Sequence, residues 1–234
     1  MDFEARLQQL YERFLRPGDT CVDVGAHTGR HTVPMARCVA PQGRVFAFEP
    51  IPAIADQLAE NVKALGPESN VTLYRYALCD EEGESDFVLA VDNPAYSGLR
   101  ERTYDTPTKL ATLHVLTRRL DDILANLDAL RYVKIDVEGG EWGVLRGAAG
   151  LIGRFRPRIT FEFGLSSYAK YDVDPAEVFA FFTARDYIVT DILGRRLDGR
   201  QFAESSVKQE VWDYVAFPLD AAQELEALFR DAPG

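Results

Sequence analysis

The stretch "VDVGAHTGRHT", residues 22–32, decides the fold. An apolar strand runs into two glycines, Gly25 and Gly29, with Asp23 before the turn and His27 inside it. A dinucleotide loop has glycine at both the first and third positions of G-x-G-x-x-G, so that a pyrophosphate can approach the backbone. Here His27 fills the place of the second glycine. Its side chain obstructs a pyrophosphate, and Asp23 adds a negative charge that a diphosphate does not welcome. The glycines still turn the chain tightly into a helix, whose first amides suit a single carboxylate.

Outward from that turn, strands and helices alternate. Residues 2–15 carry Phe3, Leu7, Leu10, Tyr11 and Phe14 at helical spacing, within an N-terminal helical unit spanning 1–16. "TCVDVG" is a buried strand, residues 29–40 a helix, "GRVFAFEP" a second strand and "AIADQLAENVKALG" a second helix. "NVTLYRYALCD" reads as a third strand. Residues 86–117, with the strands "SDFVLAV" and "TLHVLTRRL" around a polar, turn-rich segment, leave the alternating core and are placed to cover an acceptor site. "LDDILANL" is a helix, "RYVKIDVEG" a core strand, "GEWGVLRGAAGLIGRF" one helix, "RPRITFEFG" a strand and "PAEVFAFFTARD" a helix. "YIVTDIL" and "VWDYVAFP" close the chain as paired strands. The pattern predicts one α/β domain over 1–234, a mostly parallel sheet with helices on both faces.

In such a sheet the acid ending the second strand, Glu49 before Pro50, is placed to bind two ribose hydroxyls. Asp23 meets an ammonium, directly or through water. One carboxylate, one ammonium, one ribose and no phosphate describe S-adenosylmethionine. The structural alternatives are Asp23 as a helix cap and Glu49 as a surface residue before a turn.

Composition narrows the classes further. The chain has 234 residues, 47% of them apolar, and a formal net charge of −11, which argues against nucleic acid as partner. Arg100, Arg102 and Lys109 read as a solvated loop. No apolar run reaches the ~18 residues of a membrane span, and the charged N-terminus lacks a signal-peptide centre, so a cytoplasmic protein is expected. Cys21, Cys38 and Cys79 show no metal-ligand spacing and read as reduced, partly buried thiols. His114 reads as a packed strand histidine.

"VDVGAHTG", "FAFEP", "YALCDEEG", "TRRLDDIL", "VKIDVEGGEWGVLRG" and "RPRITFEF", in this order over about residues 20–165, resemble the FkbM family of S-adenosylmethionine-dependent methyltransferases. The resemblance implies a class I methyltransferase fold, a Rossmann-like three-layer sandwich with a seven-stranded sheet whose last strand is antiparallel. It implies O-methylation of sugars or other hydroxylated natural products. By position it places Asp23, Gly25, Ala26, His27, Thr28, Gly29 and Thr32 in the first cofactor loop, Glu49 and Pro50 at the ribose, and Ala77 and Leu78 beside adenine. Asp136, Glu138, Gly139 and Glu141 form its acidic block. His27 stands where the family often has asparagine, and His31 where an aromatic residue is common.

Methyl transfer to a hydroxyl needs the acceptor oxygen in line with the methyl–sulfur bond and a base for its proton. Asp136, which also borders the cofactor, is the first choice of base, and Glu162 the second. Glu138, Glu141, Tyr96, Ser97 and Tyr168 are the candidates for acceptor contact, with Glu138 and Glu141 open to a loop-holding role instead. No metal is assigned; magnesium on Asp136, Glu138 and Glu141 is the alternative. The rival functions are N-methylation, disfavoured by the absence of a [DN]-P-P-[YF] block, a non-catalytic adenosyl-ligand binder, and a nicotinamide dehydrogenase. Acceptor identity and oligomeric state are not readable.

Overall fold

The computed structural model describes residues 2–66 and 69–230. Helix α1 (Phe3–Phe14) starts at Asp2, whose carboxylate accepts the Ala5 amide at 3.0 Å, and buries Leu7, Leu10, Tyr11 and Phe14. Strand β1 (Thr20–Val24) leads to helix α2 (Thr32–Val39). This helix begins three residues beyond Gly29 rather than at it, because Gly29 sits at φ +95°, a turn conformation that suits glycine. Strand β2 (Arg44–Phe48) and helix α3 (Pro52–Lys63) follow, the latter with proline in its first turn.

The segment read as one third strand divides. Strand β3 (Val71–Tyr74) pairs with β2, whereas β4 (Ala77–Leu78) turns away and joins a second sheet. That sheet is completed by β5 (Gly83–Ala90) and β6 (Leu110–Arg118), an antiparallel pair, in the order β4-β6-β5. Phe87 and Val115 pack inward with Ile51 and Ala77. His114 faces solvent beside Asp86 at 2.7 Å instead of packing, since alternation along β6 puts it on the face opposite Val115.

Helix α4 (Leu120–Ile123) is a single turn, and strand β7 (Tyr132–Ile135) re-enters the main sheet. The helix expected from Gly140 onward is two, α5 (Glu141–Gly147) and α6 (Ala149–Phe155). The chain then runs through β8 (Arg158–Glu162), the one-turn helix α7 (Leu165–Tyr168), α8 (Pro175–Thr183) and β9 (Tyr187–Asp191). Helix α9 (Gly199–Lys208) separates β9 from β10 (Asp213–Pro218), and α10 (Ala222–Arg230) follows, so a helix and not a strand ends the described chain.

The main sheet has seven strands in the order β3-β2-β1-β7-β8-β10-β9. All pairs are parallel except those of β10, the last strand in the chain, which is antiparallel to β8 and β9. Side chains alternate between two cores. Cys21, Val45, Tyr132 and Phe217 pack with α1, α2 and α10, while Val22, Phe46, Val133 and Phe161 pack with α5, α6, α8 and α9. The three cysteines are free. Among the described residues no helix is long and apolar enough to cross a membrane. The strand order reverses between β1 and β7, so a crevice opens beyond their carboxyl ends.

Candidate active site

A cavity of about 590 Å³ occupies that crevice. Its floor is made by the residues that leave the strands: Gly25 after β1, Glu49 after β2, Asp136 after β7 and Glu162 at the end of β8. Gly25 has φ +76°, and a Cβ on it would stand 1.7 Å from the Asp136 carbonyl oxygen. The two loops therefore cross in contact, which glycine alone permits.

Glu49 is buried and faces the cavity, and its two oxygens accept the His27 amide at 3.0 Å and the Ile51 amide at 2.9 Å. Burial pushes its carboxyl up to about 7, against the pull of those two amides. A carboxylate has about four acceptor sites, so lone pairs are left for a pair of ligand hydroxyls. Phe48, Ile51, Ala77 and Leu78 give an apolar wall beside it, with Pro50 and Tyr76. A buried acid with acceptor capacity to spare, next to an apolar slot and with acids beyond, fits an adenosyl ligand that carries a cationic sulfur.

His27 lines the cavity in a left-handed conformation, φ +47°, and burial keeps its ring below the ordinary histidine pKa. The rest of the first loop lies behind the wall. Ala26 is buried with its amide on Phe48 O, the Thr28 carbonyl accepts from Asn61, and Gly29 backs onto Leu58. Thr32 donates to Asp23 Oδ2 at 2.6 Å. Asp23 is fully buried, and its ammonium partner belongs to the protein: Lys134 Nζ lies 3.7 Å from Oδ1. Asp23 and Thr32 thus brace the floor from below and do not reach the cavity. The expected carboxylate-binding helix end, now starting at Thr32, does not border it either.

Lys134 also donates to Asp136 Oδ2 at 3.2 Å. Burial disfavours its ammonium, but Asp136, Asp23 and Glu4 outweigh that and raise its pKa above the usual lysine value. Strand β7 ends at Ile135, so Asp136 and Glu138 are not aligned by strand alternation. A turn brings them together, with Glu138 at φ +57° and Gly139 at φ +105°. Carboxylate oxygens of Asp136, Glu138 and Glu162 all lie within 4.8 Å of one another, close enough for one divalent cation to be shared. Burial, then the charge of Asp136, pushes the carboxyls of both Glu138 and Glu162 well above the usual range. Glu141 is not part of this group. It is buried and its Oε1 accepts the amides of Val137 at 3.0 Å and Gly139 at 3.1 Å, which holds the turn.

The segment between β5 and β6 brings Tyr96 and Ser97 to the cavity. Tyr168 is displaced from its expected place: its ring stacks on Phe163 at 4.4 Å and its hydroxyl meets Ser206, in the core and away from the cavity. Arg102 is no solvated loop residue. It is 14% exposed, pairs with Glu138, donates to Ser166 Oγ at 3.2 Å and lies over the Tyr96 ring at 4.5 Å. The Thr103 amide on Ser166 O and the Arg100 amide on Tyr171 Oη, at 2.8 and 2.9 Å, fasten this strap to the segment after β8. Glu4, Arg102, Thr103, Ser166, Gln209 and Trp212 are lining residues that sequence reasoning missed. They come from segments remote in sequence, and no local motif marks them.

A family model described as the methyltransferase FkbM domain matches residues 23–189. Methyltransferase 1 of Beauveria bassiana is 30% identical over 162 residues, 62% of this chain and 64% of its own length. A protein-L-isoaspartate O-methyltransferase of Ignicoccus hospitalis is 44% identical over 59 residues, 25% of this chain and 28% of that protein. The matches thus span less than two thirds of these relatives. The crystal structure of an FkbM methyltransferase from Methylobacillus flagellatus KT superposes with a TM-score of 0.52 at 17% identity, over 86% of this chain and 44% of that one. With the sheet order, the antiparallel last strand and the crevice at the β1–β7 reversal, this family match means that the chain belongs to the FkbM methyltransferases, a family of class I fold that uses S-adenosylmethionine.

Proposed function

We propose that this chain transfers a methyl group from S-adenosylmethionine to a hydroxyl of a small molecule, a sugar or another hydroxylated natural product. The observation that carries the reading is the meeting of Asp136, Glu138 and Glu162 at one point of a cavity that also holds Glu49 and an apolar slot. The cofactor, when bound, supplies an electrophilic methyl group. Glu49 would hold the ribose hydroxyls, and Phe48, Ile51, Ala77 and Leu78 would flank the adenine.

The chain's own part in the chemistry is to orient the acceptor and take its proton. Asp136 is the base of choice. Its Oδ2 is held by Lys134, and Oδ1 has no protein hydrogen bond among the described residues. Glu162 is the second candidate, without a hydrogen bond or ion pair among the described residues. Tyr96, Ser97 and Glu138 face the space left for the acceptor, and the strap around Arg102 shields it from water. The O-methyl reading draws support from the isoaspartate enzyme matched over 59 residues, which by its name is an O-methyltransferase.

Charge narrows the acceptor class. Among the described residues the cavity wall carries Glu4, Glu49, Asp105, Asp136, Glu138 and Glu162 against Arg102 as its one lysine or arginine, and because burial raises the carboxyls of Glu49, Glu138 and Glu162 this negative charge grows as pH rises. Like charges facing across a site repel, so neutral polyols and amine-bearing hydroxyl compounds suit it, and phosphorylated or nucleic-acid substrates do not. The test is calorimetric and enzymatic. S-adenosylhomocysteine should bind and NAD should not. At ~100 times its dissociation constant the ligand should stabilise the fold by about 2.7 kcal/mol. Release of S-adenosylhomocysteine in the presence of neutral or cationic hydroxyl compounds, with none for anionic ones, is the expected pattern. Turnover confined to amine nucleophiles would overturn the O-methyl reading.

A further inference from the structure

The cavity reaches beyond the adenosyl slot to a carboxylate that no motif marks. Glu4 stands on the second residue of α1, lines the cavity and is half-exposed to it. Its position is fixed from behind. His31 Nε2 lies 2.7 Å from Glu4 Oε2, and His31 Nδ1 lies 3.1 Å from the Tyr11 hydroxyl. The tautomer that satisfies both contacts has Tyr11 O–H donating to Nδ1 and Nε2–H donating to Glu4. Tyr11 and His31 are buried, their rings edge to face at 5.7 Å. The hydrogen bond from His31 holds the Glu4 carboxyl below the usual range, so it is ionised at neutral pH.

The direction of the cavity gives this carboxylate its use. Ile51, Ala77 and Leu78 mark one end, beside β2 and β4. The floor then crosses Glu49 after β2, Gly25 after β1 and Asp136 after β7, and it ends near Trp212, just before β10. Phe3, the neighbour of Glu4, packs edge to face on Trp212 at 4.8 Å. Glu4 therefore lies at the far end from the adenine wall. A cofactor whose ribose is held at Glu49 directs its amino-acid end that way. The carboxylate that its ammonium would otherwise meet, Asp23, is sealed beneath the floor against Thr32 and Lys134.

We infer that Glu4, braced by the Tyr11–His31 pair, receives the ammonium of the methionyl part of the cofactor, which makes the N-terminal helix a wall of the cofactor site. The inference rests on the S-adenosylmethionine reading of the cavity and adds a residue to it. Tyr11 and His31 are positioning residues; Glu4 alone touches the ligand.

The test compares two ligands that differ only at the end in question. S-adenosylhomocysteine carries the amino-acid portion, and 5′-methylthioadenosine lacks it. Glu4→Gln keeps an acceptor for His31 and removes the charge. Calorimetry on the full chain should show S-adenosylhomocysteine weakened by about ten-fold, the weight of one charge-assisted hydrogen bond at a partly exposed site. Binding of 5′-methylthioadenosine should be unchanged, which also reports that the variant is folded. Tyr11→Phe should show a smaller loss with the same selectivity. Unaltered S-adenosylhomocysteine affinity in Glu4→Gln, or equal losses for both ligands, would overturn the assignment. Failure of the unaltered protein to bind either ligand would overturn the cofactor reading itself, so the two failures are distinguishable.

Discussion

At the scale of single residues, Asp136 and Glu49 carry the sharpest consequences. Asp136→Asn keeps the shape of the side chain and a contact for Lys134 but removes basicity. Turnover should fall by ~10²–10⁴-fold, the usual weight of a general base, while S-adenosylhomocysteine affinity changes far less. Full turnover in that variant would move the role to Glu162. The same assay run in EDTA separates a free carboxylate from a metal ligand. Activity should persist, and a loss that magnesium restores would assign the cation to Asp136, Glu138 and Glu162. For Glu49 the neutral variant Glu49→Gln is closer to the native side chain than alanine, because its one carbonyl oxygen still accepts one of the His27 and Ile51 amides, although its NH2 opposes the other. It should weaken S-adenosylhomocysteine by roughly ten-fold or more, since hydrogen bonds to a charged group are worth about 1.5–3 kcal/mol each. Both acids were legible in the sequence, because each stands at the carboxyl end of a readable strand. The partner of Asp23 was not. Lys134 is 111 positions away and becomes its neighbour only through the pairing of β1 with β7, where Asp23 lies opposite Lys134.

At the scale of elements, the loops after β1 and β7 behave as one body because of Gly25. Gly25→Ala would place a methyl group 1.7 Å from the Asp136 carbonyl oxygen and would also strain a backbone at φ +76°. Overpacking and a left-handed residue cost about 1–3 kcal/mol each. A loss of about 2–6 kcal/mol is expected in urea unfolding, together with weakened binding of S-adenosylhomocysteine. Gly18→Ala, at another left-handed glycine but with open space around it, is the control, and only the backbone part of the loss should appear. Elements were legible where apolar periodicity was strong, as in α1, β1, β2 and β7. They failed where tertiary pairing overrode it. Residues 70–80 look like one strand, yet Arg75 and Tyr76 break it and Ala77–Leu78 serve another sheet. Helix α9 was missed because its run "GRQFAESSVK" is mostly polar. Its signal was the capping box, Asp198 with Gln201 three residues later.

At the scale of the molecule, buried acids set the pH response. Burial raises the carboxyls of Glu49, Glu141 and Asp213 to about 7 each, from ordinary values of 4.5, 4.5 and 3.8. Their folded pKa lies above the unfolded one, so the folded chain binds more protons between roughly pH 4 and 7. Stability then falls as pH rises through that window and levels off above it. Each unit of difference corresponds to about 1.4 kcal/mol, and repulsion within a chain of net charge −11 acts in the same direction. The urea midpoint of the ligand-free protein should be lower at pH 8 than at pH 5.5. A midpoint that rises over this range would show that these groups are ionised in the fold. The class of sheet and the order of its motifs were legible at this scale. The acidity of the cavity was legible in part: Glu49, Asp136, Glu138 and Glu162 follow or end readable strands, whereas Glu4 and Asp105 reach it from α1 and the strap, which no motif marks.

Lys134 sits beneath the cavity floor between Asp23 and Asp136. One ammonium serves both carboxylates, so the central pair of strands carries its countercharge from within, whatever the cavity contains. Its polar groups are set before any ligand arrives, so affinity is not spent on rearranging them. In crystals with and without S-adenosylhomocysteine, β1 and β7 should superpose, and the adjustment should be confined to side chains around them. The sheet works as an anvil: what strikes it changes, and it does not.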